Sequence, residues 1–230
     1  MKKLLNKIYC AITNYNEKNI LSLLEKNKAA RLLDLGCDDG KWTRKLAKKI
    51  NTSNIYGIEV VDESIKKAQA KGIKVKKFDL NNRFGFENNI FDVVHANQVI
   101  EHLYNSDNFL SEIYRVLRKG GYAVISTENG SSWHNIFAAI MGWQIFSLTN
   151  ISKKRQGIGN PLAIHRGEKV ILESWNHIRI YNIRGLKELF EAHGFKVEKI
   201  KGAGYFPLSP FLGNIDKTHC HYMTFKIRKY

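Results

Sequence analysis

Two stretches of this 230-residue chain carry residue types at spacings that could do chemistry. The first is Arg31–Gly40, R-L-L-D-L-G-C-D-D-G. An apolar run enters Asp34, and glycines follow at 36 and 40, the pattern of a buried strand that ends in a tight loop and opens a helix. Such a loop turns backbone N–H groups and a helix N-terminus toward a ligand. The second is the apolar run Ile55–Ile58, which ends in Glu59. A carboxylate at that strand end is placed to accept hydrogen bonds from ribose hydroxyls. Together the two stretches predict a nucleoside-containing ligand across the first two strands, with Gly36, Cys37, Gly40 and Glu59 beside it.

The ligand is not a dinucleotide by this reading. Counting from Gly36, the second and third glycine positions of G-x-G-x-x-G are Asp38 and Lys41. Two phosphates beside Asp38 and Asp39 would be repelled, whereas a ligand with a cationic centre tolerates acid there. The loop resembles the first motif of the class I S-adenosylmethionine-dependent methyltransferases, D-x-G-x-G-x-G, with Asp34, Gly36 and Gly40 matching and Asp38 in place of the middle glycine. The resemblance continues through G-I-E-V-V-D-E-S (57–64), F-D-L (78–80), F-D-V-V-H-A-N-Q-V-I-E-H-L (91–103) and L-S-E-I-Y-R-V-L-R-K-G-G-Y-A-V-I-S-T (110–127). It resumes at L-K-E-L-F-E-A-H-G-F-K-V (186–197), in the order and spacing of the type 11 methyltransferase domain, which includes quinone-biosynthesis methyltransferases.

The elements that must position these residues alternate. Strands are expected at 31–35, 54–58, 73–78, 91–96 and 121–127, and helices at 41–50, 62–71 and 106–118, with Lys119-Gly120-Gly121 as a helix stop. That alternation predicts an α/β fold, a doubly wound, Rossmann-like parallel sheet covered by helices. A helix over 184–193 and strands over 195–201 and 219–228 follow. The resemblance implies seven strands in the order 3-2-1-4-5-7-6, the last two as an antiparallel hairpin. Residues 1–230 read as a single domain, with a helical extension over 1–29 and an insertion over 128–180 after the fifth strand. In the extension, Leu4, Ile8, Ile12 and Tyr15 recur at helical spacing.

Position assigns the remaining cofactor residues. Asp79 follows the third strand and, by resemblance, meets the adenine amino group, with Leu80 flanking the ring. Asn97 ends the fourth strand, where its backbone would lie near the sulfonium. Asp34, by resemblance, either meets the amino group or orients the loop. The resemblance implies S-adenosylmethionine as cofactor and S-adenosylhomocysteine as product. Methyl transfer is an in-line displacement in which the protein supplies proximity and desolvation, and a base only where the acceptor must lose a proton. His102, His134, His177 and Glu128 are the available bases; His102 and His177 are the catalytic candidates. The fourth strand ends A-N-Q-V, without the N-P-P-Y-type tetrad of adenine and amide N-methyltransferases.

The insertion bears on the acceptor. Trp133, Phe137, Ile140 and Met141 share one helical face, either packing on the core or lining an apolar pocket under a lid. Trp133, Trp143, His177 and Arg179 are the candidate acceptor contacts, and Lys153-Lys154-Arg155 and His165-Arg166 offer cations for a phosphate or carboxylate. The formal charge is +16. Residues 31–150 carry 16 Lys and Arg against 13 Asp and Glu, while 151–230 carry 15 against 6. This excess fits an anionic small molecule, an RNA, a peripheral membrane surface or a plain solubilising surface. Three scattered cysteines without CxxC or Cys/His spacing predict a reduced, cytoplasmic protein with no metal site. No apolar run reaches membrane-spanning length. The preferred function is methylation of a small lipid, quinone or other metabolite precursor; RNA methylation and non-catalytic cofactor binding are the alternatives.

Overall fold

A computed structural model describes residues 2–152, 154–168 and 176–230. Lys153 of the basic run therefore lies outside the described residues, as do residues 169–175 of the insertion. The strands are β1 (Arg31–Leu35), β2 (Asn54–Glu59), β3 (Lys74–Lys77), β4 (Phe91–Asn97), β5 (Leu117–Glu128), β6 (Phe195–Ala203) and β7 (Tyr222–Lys229). They form one sheet in the order β3-β2-β1-β4-β5-β7-β6, the expected one. The β2–β3, β1–β2, β1–β4 and β4–β5 ladders are parallel. Parallel strands are covered on both faces. Accordingly Leu32, Leu33 and Leu35 of β1 are fully buried, worth roughly 1.5–3 kcal/mol each.

The helices are α1 (Lys2–Leu23), α2 (Lys41–Ile50), α3 (Asp62–Gln69), α4 (Ser106–Val116), α5 (Trp133–Ile140), α6 (Ile183–Ala192) and a single turn, α7 (Leu212–Ile215). α2 buries Thr43, Leu46, Ala47 and Ile50, one stripe of the helix. α4 is capped by Asn105, whose side chain accepts the Asn108 N–H at 3.1 Å, and it buries Phe109, Leu110, Ile113 and Val116. No described helix is long and apolar enough to cross a membrane.

Most boundaries shift by one to three residues, β7 starting at Tyr222 and not 219, and the largest change lies between α4 and β5. α4 ends at Val116, not 118, and Leu117 already pairs with Phe91. The next paired residues are Val93 and Tyr122, so residues 118–121 bulge out of the ladder. Gly120, at φ +79°, turns this bulge and does not stop the helix.

Contacts divide the chain into two compact units. The larger comprises residues 20–126, 187–199 and 225–230. Its core gathers Ile20, Leu23, Leu32, Leu46, Ile50, Ile55, Val93 and Val124. The smaller comprises residues 1–19, 127–186 and 200–224, with Ile12, Ala203 and Tyr222 at its centre and Ile8, Tyr9, Tyr15 and Phe206 packed around them.

Candidate active site

In the larger unit the loop after β1 takes the left-handed conformation three times, at Gly36 (φ +71°), Asp38 (φ +43°) and Gly40 (φ +78°). Asp38 thus adopts the conformation for which the methyltransferase motif uses glycine, at a cost that side-chain contacts must offset. Ser64 Oγ donates to Asp38 Oδ1 at 2.8 Å, and the Asp38 N–H donates to Glu59 Oε2 at 3.0 Å. The N–H groups of Gly36 and Cys37 are held by the Ile58 carbonyl, at 2.9 and 3.1 Å. A Cβ on Gly40 would fall 2.5 Å from Ile73 Cδ1 and 3.1 Å from Ala68 Cα, so the loop closes tightly on α3.

Glu59 does more than stand at a strand end. Oε2 holds the loop through Asp38, and Oε1 accepts the N–H groups of Val60 and Val61 at 2.7 and 3.0 Å. One carboxylate thereby fixes both the β1 loop and the entrance to α3.

Asp34 is an anchor. It is 2 % exposed, and its oxygens accept from His95 Nδ1 at 2.7 Å and Thr43 Oγ1 at 2.6 Å. Trp42 Nε1, which can only donate, points at His95 Nε2 at 3.4 Å. His95 therefore carries its proton on Nδ1, directed at Asp34. The buried chain Trp42–His95–Asp34–Thr43 ties β1, β4 and α2 beneath the loop. Burial, with Asp34 and Glu59 nearby, pushes the Cys37 thiol far above its usual range, so it stays protonated.

Asp79 is exposed; Oδ1 accepts from the backbone and the side-chain nitrogen of Asn81, both at 2.9 Å. Leu80 beside it is buried. At the end of β4, Asn97 Oδ1 and Gln98 Nε2 are both buried without a hydrogen-bond partner among the described residues. Gln98 stands at φ +55° and donates its N–H to the Ser126 carbonyl at 2.8 Å. An orphaned acceptor and an orphaned donor beside a left-handed loop fit a small polar ligand at the carboxyl ends of the strands. Acid at Asp38 and Glu59 suits a cationic one. His102 ends a 3-10 turn, Ile100–His102, and is half-buried.

The smaller unit contains a cavity of about 420 Å³. α1 lines it with Leu5, Tyr9 and Ile12, the insertion with His134, Phe146 and His177, and later residues with Phe206 and His221. Glu128, the last residue of β5, also faces it. His177 Nδ1 lies 2.6 Å from the Ser147 carbonyl and 3.9 Å from Glu128 Oε2. A carbonyl only accepts, so Nδ1 carries a proton and donates it to Ser147. His134 and His221 stack with ring centroids 4.6 Å apart. Burial pushes His134 down to about 4, and burial together with His134 holds His221 well below the usual histidine value. Both His221 ring nitrogens are shut from solvent with no hydrogen-bond partner among the described residues. Tyr9 accepts from the Tyr222 hydroxyl at 3.1 Å, and burial raises both phenols.

Of the acceptor candidates, His177 alone lines this cavity. Trp133 is 42 % exposed; its Nε1 donates to the Tyr205 hydroxyl at 2.6 Å and its ring stacks on His219 at 4.3 Å. Trp143 packs edge-on against Phe137 at 5.8 Å. Arg179 is exposed. Tyr9, Phe206 and His221 carried no sequence signal beyond, for Tyr9, membership of an amphipathic helix.

These features are those of a methyltransferase, and a family described as "Methyltransferase domain" matches residues 10–200. The chain belongs to that family and has the class I S-adenosylmethionine-dependent fold. Among curated relatives, the mitochondrial ubiquinone biosynthesis O-methyltransferase of Rattus norvegicus is 26 % identical over 207 residues, 86 % of this chain and 53 % of that protein. The human counterpart is 25 % identical over 207 residues, 86 % of this chain and 50 % of that protein. The chain thus spans about half the length of these relatives. Among solved structures, an S-adenosylmethionine-dependent methyltransferase from Mesorhizobium loti aligns with a TM-score of 0.61 at 15 % identity, covering 92 % of this chain and 96 % of that one. One from Methanosarcina mazei gives 0.60 at 18 %, covering 88 % and 93 %.

Proposed function

We propose that the chain transfers a methyl group from S-adenosylmethionine to a small molecule with an apolar body and a polar tip, taken up in the 420 Å³ cavity. The observation that carries this reading is the cavity lining: aromatic and aliphatic walls with two carboxylates, Glu128 and Glu168, and an imidazole, His177, held at Nδ1 by the Ser147 carbonyl. Such pockets suit drug-sized ligands whose orientation is set by a few polar groups. The 128–180 insertion and the 1–29 extension both contribute walls, which supports reading them as acceptor-covering additions to a single 1–230 methyltransferase domain.

Gly36, Cys37 and Gly40 would shape the cofactor loop. Glu59 would receive the ribose hydroxyls on a carboxylate already fixed by three N–H groups. Asp79 and Leu80 would meet the adenine, and Asn97 and Gln98 would supply polar atoms at the end of β4. The cofactor, when bound, supplies a methyl group on a sulfonium, a strong leaving group. This chain's residues need only orient the acceptor, exclude water and, for a hydroxyl acceptor, take its proton. His177 is the candidate for that last role, an imidazole that lines the cavity with its ring held at Nδ1 by the Ser147 carbonyl. The similarity to ubiquinone biosynthesis O-methyltransferases supports oxygen as the attacking atom. Three free cysteines fit a reducing compartment such as the cytoplasm.

The test is transfer of labelled methyl from S-adenosylmethionine to fractionated lipids, small metabolites and RNA. Label in an amphiphilic small-molecule fraction, reduced by His177→Ala, is the expected result. Label confined to RNA overturns the reading.

A further inference from the structure

α5 is amphipathic in the reverse sense. Its buried residues are His134, Asn135 and Ala138, and Asn135 is held by polar partners, donating to the Asn129 carbonyl at 3.1 Å and to Ser147 Oγ at 2.9 Å. Its outward stripe, at i, i+4, i+7 and i+8, is Trp133, Phe137, Ile140 and Met141, which are 42, 48, 78 and 49 % exposed. A helix normally turns such a stripe inward. Beside it, Trp133 bonds to Tyr205, and Tyr205 donates to Asp216 Oδ2 at 2.8 Å. The segment so attached exposes Leu208, Phe211 and Ile215 at 56, 49 and 73 %. Large apolar residues clustered this way on a surface mark a place of interaction.

We infer that this face docks on the surface of an anionic lipid bilayer. The segments attached to it at either end carry exposed cations. Lys217 is exposed two residues before His219, the ring stacked on Trp133. At the other end Trp143 packs on Phe137, and the next residue, Gln144, donates its N–H to the Gly159 carbonyl at 3.0 Å. The loop that reaches Gly159 carries exposed Lys154, Arg155 and Ile158. The whole smaller unit has 13 Lys and Arg against 5 Asp and Glu. An apolar stripe with an indole at its edge and cations around it is the composition of an interfacial helix: apolar groups enter the acyl boundary and cations meet anionic headgroups. A second copy of the chain is a poor occupant, because a two-fold interface brings the same patch, with its Lys217, Lys154 and Arg155, against itself.

The experiment is co-sedimentation of the full chain with vesicles of phosphatidylcholine alone or with about one-third phosphatidylglycerol, at low and high salt. Binding to the anionic vesicles, weakened by salt, is expected, with little binding to the neutral ones. Ile140→Asp should lower the partition coefficient at least about tenfold, and Lys154→Glu with Lys217→Glu should remove the preference for anionic vesicles. All these side chains are exposed, and unchanged circular dichroism establishes that the variants fold. Absence of vesicle binding by the wild-type chain, equal binding by Ile140→Asp, or a wild-type dimer that Ile140→Asp converts to monomer each overturns the inference. Cofactor affinity, measured alongside, should be the same in all variants, so failure here leaves the methyltransferase reading standing.

Discussion

Acid should loosen the cavity before it attacks the rest of the protein. His134 has its proton affinity lowered to about 4 because the folded chain surrounds it with Phe146, Phe206 and His221 and gives it no counter-charge. The unfolded chain protonates it near 6.5. A histidine depressed in this way costs nothing above pH 6.5. As pH falls below that value the unfolded state gains a proton that the folded state refuses, and stability drops until about pH 4. Each unit of mismatch is worth about 1.4 kcal/mol, so His134 alone removes roughly 2 kcal/mol between pH 6.5 and 5 and about 3 kcal/mol by pH 4. His221 is displaced in the same direction and adds to the slope. The carboxylates held low by partners, Glu25, Glu112 and Glu198, weaken folding only as pH drops below about 4.5, so the window from 6.5 to 4.5 belongs to histidine. Urea unfolding at pH 7.5, 6, 5 and 4.5 measures the slope. His134→Phe keeps an aromatic ring against Phe146 and Phe206 but cannot titrate, and should flatten the curve by about 2 kcal/mol at pH 5. Equal slopes for the two proteins, or a wild-type curve flat from pH 7.5 to 5, would refute the argument.

Three other outcomes are expected. Glu59→Ala frees the N–H groups of Asp38, Val60 and Val61, so cofactor affinity should fall by roughly 1.5–3 kcal/mol while circular dichroism stays native; unchanged affinity in calorimetry would remove Glu59 from the site. Asp34→Ala leaves the His95 Nδ1–H and the Thr43 hydroxyl buried without an acceptor, at about 1–3 kcal/mol each, and should show chiefly as lost stability in urea unfolding. His177→Ala should lower turnover at constant cofactor affinity, whereas Trp143→Ala and Arg179→Ala, which lie outside the cavity lining, should leave turnover near wild type; the reverse pattern would move the acceptor out of the cavity.

The loop proposed for the cofactor is legible in the sequence because its signals are local. The left-handed loop shows in Gly36 and Gly40, four positions apart in the chain, and Glu59 reveals itself by standing at an apolar strand end. Asp34 was open between ligand contact and anchor; only the fold shows both oxygens occupied by His95 and Thr43, residues 61 and 9 positions away. The cavity proposed for the acceptor is built from distant pieces, Tyr9 from the first helix, Glu128 from β5 and His221 beside the last strand, and no periodicity joins them. The stripe on α5 is visible as a stripe, but hydrophobicity alone points it inward. The polar partners waiting for Asn135 turn it outward. The Gly120-Gly121 pair reads as a helix end for a similar reason: a left-handed glycine serves a helix stop and a strand bulge equally, and the pairing of Leu117 with Phe91 decides between them.

Titration calorimetry of the wild-type chain with S-adenosylhomocysteine and, separately, with NAD tests the central claim most directly. The account predicts saturable one-to-one binding of S-adenosylhomocysteine and no heat with NAD, whose pyrophosphate would meet Asp38 and Asp39. Tight NAD binding with none of the adenosyl ligand would contradict it.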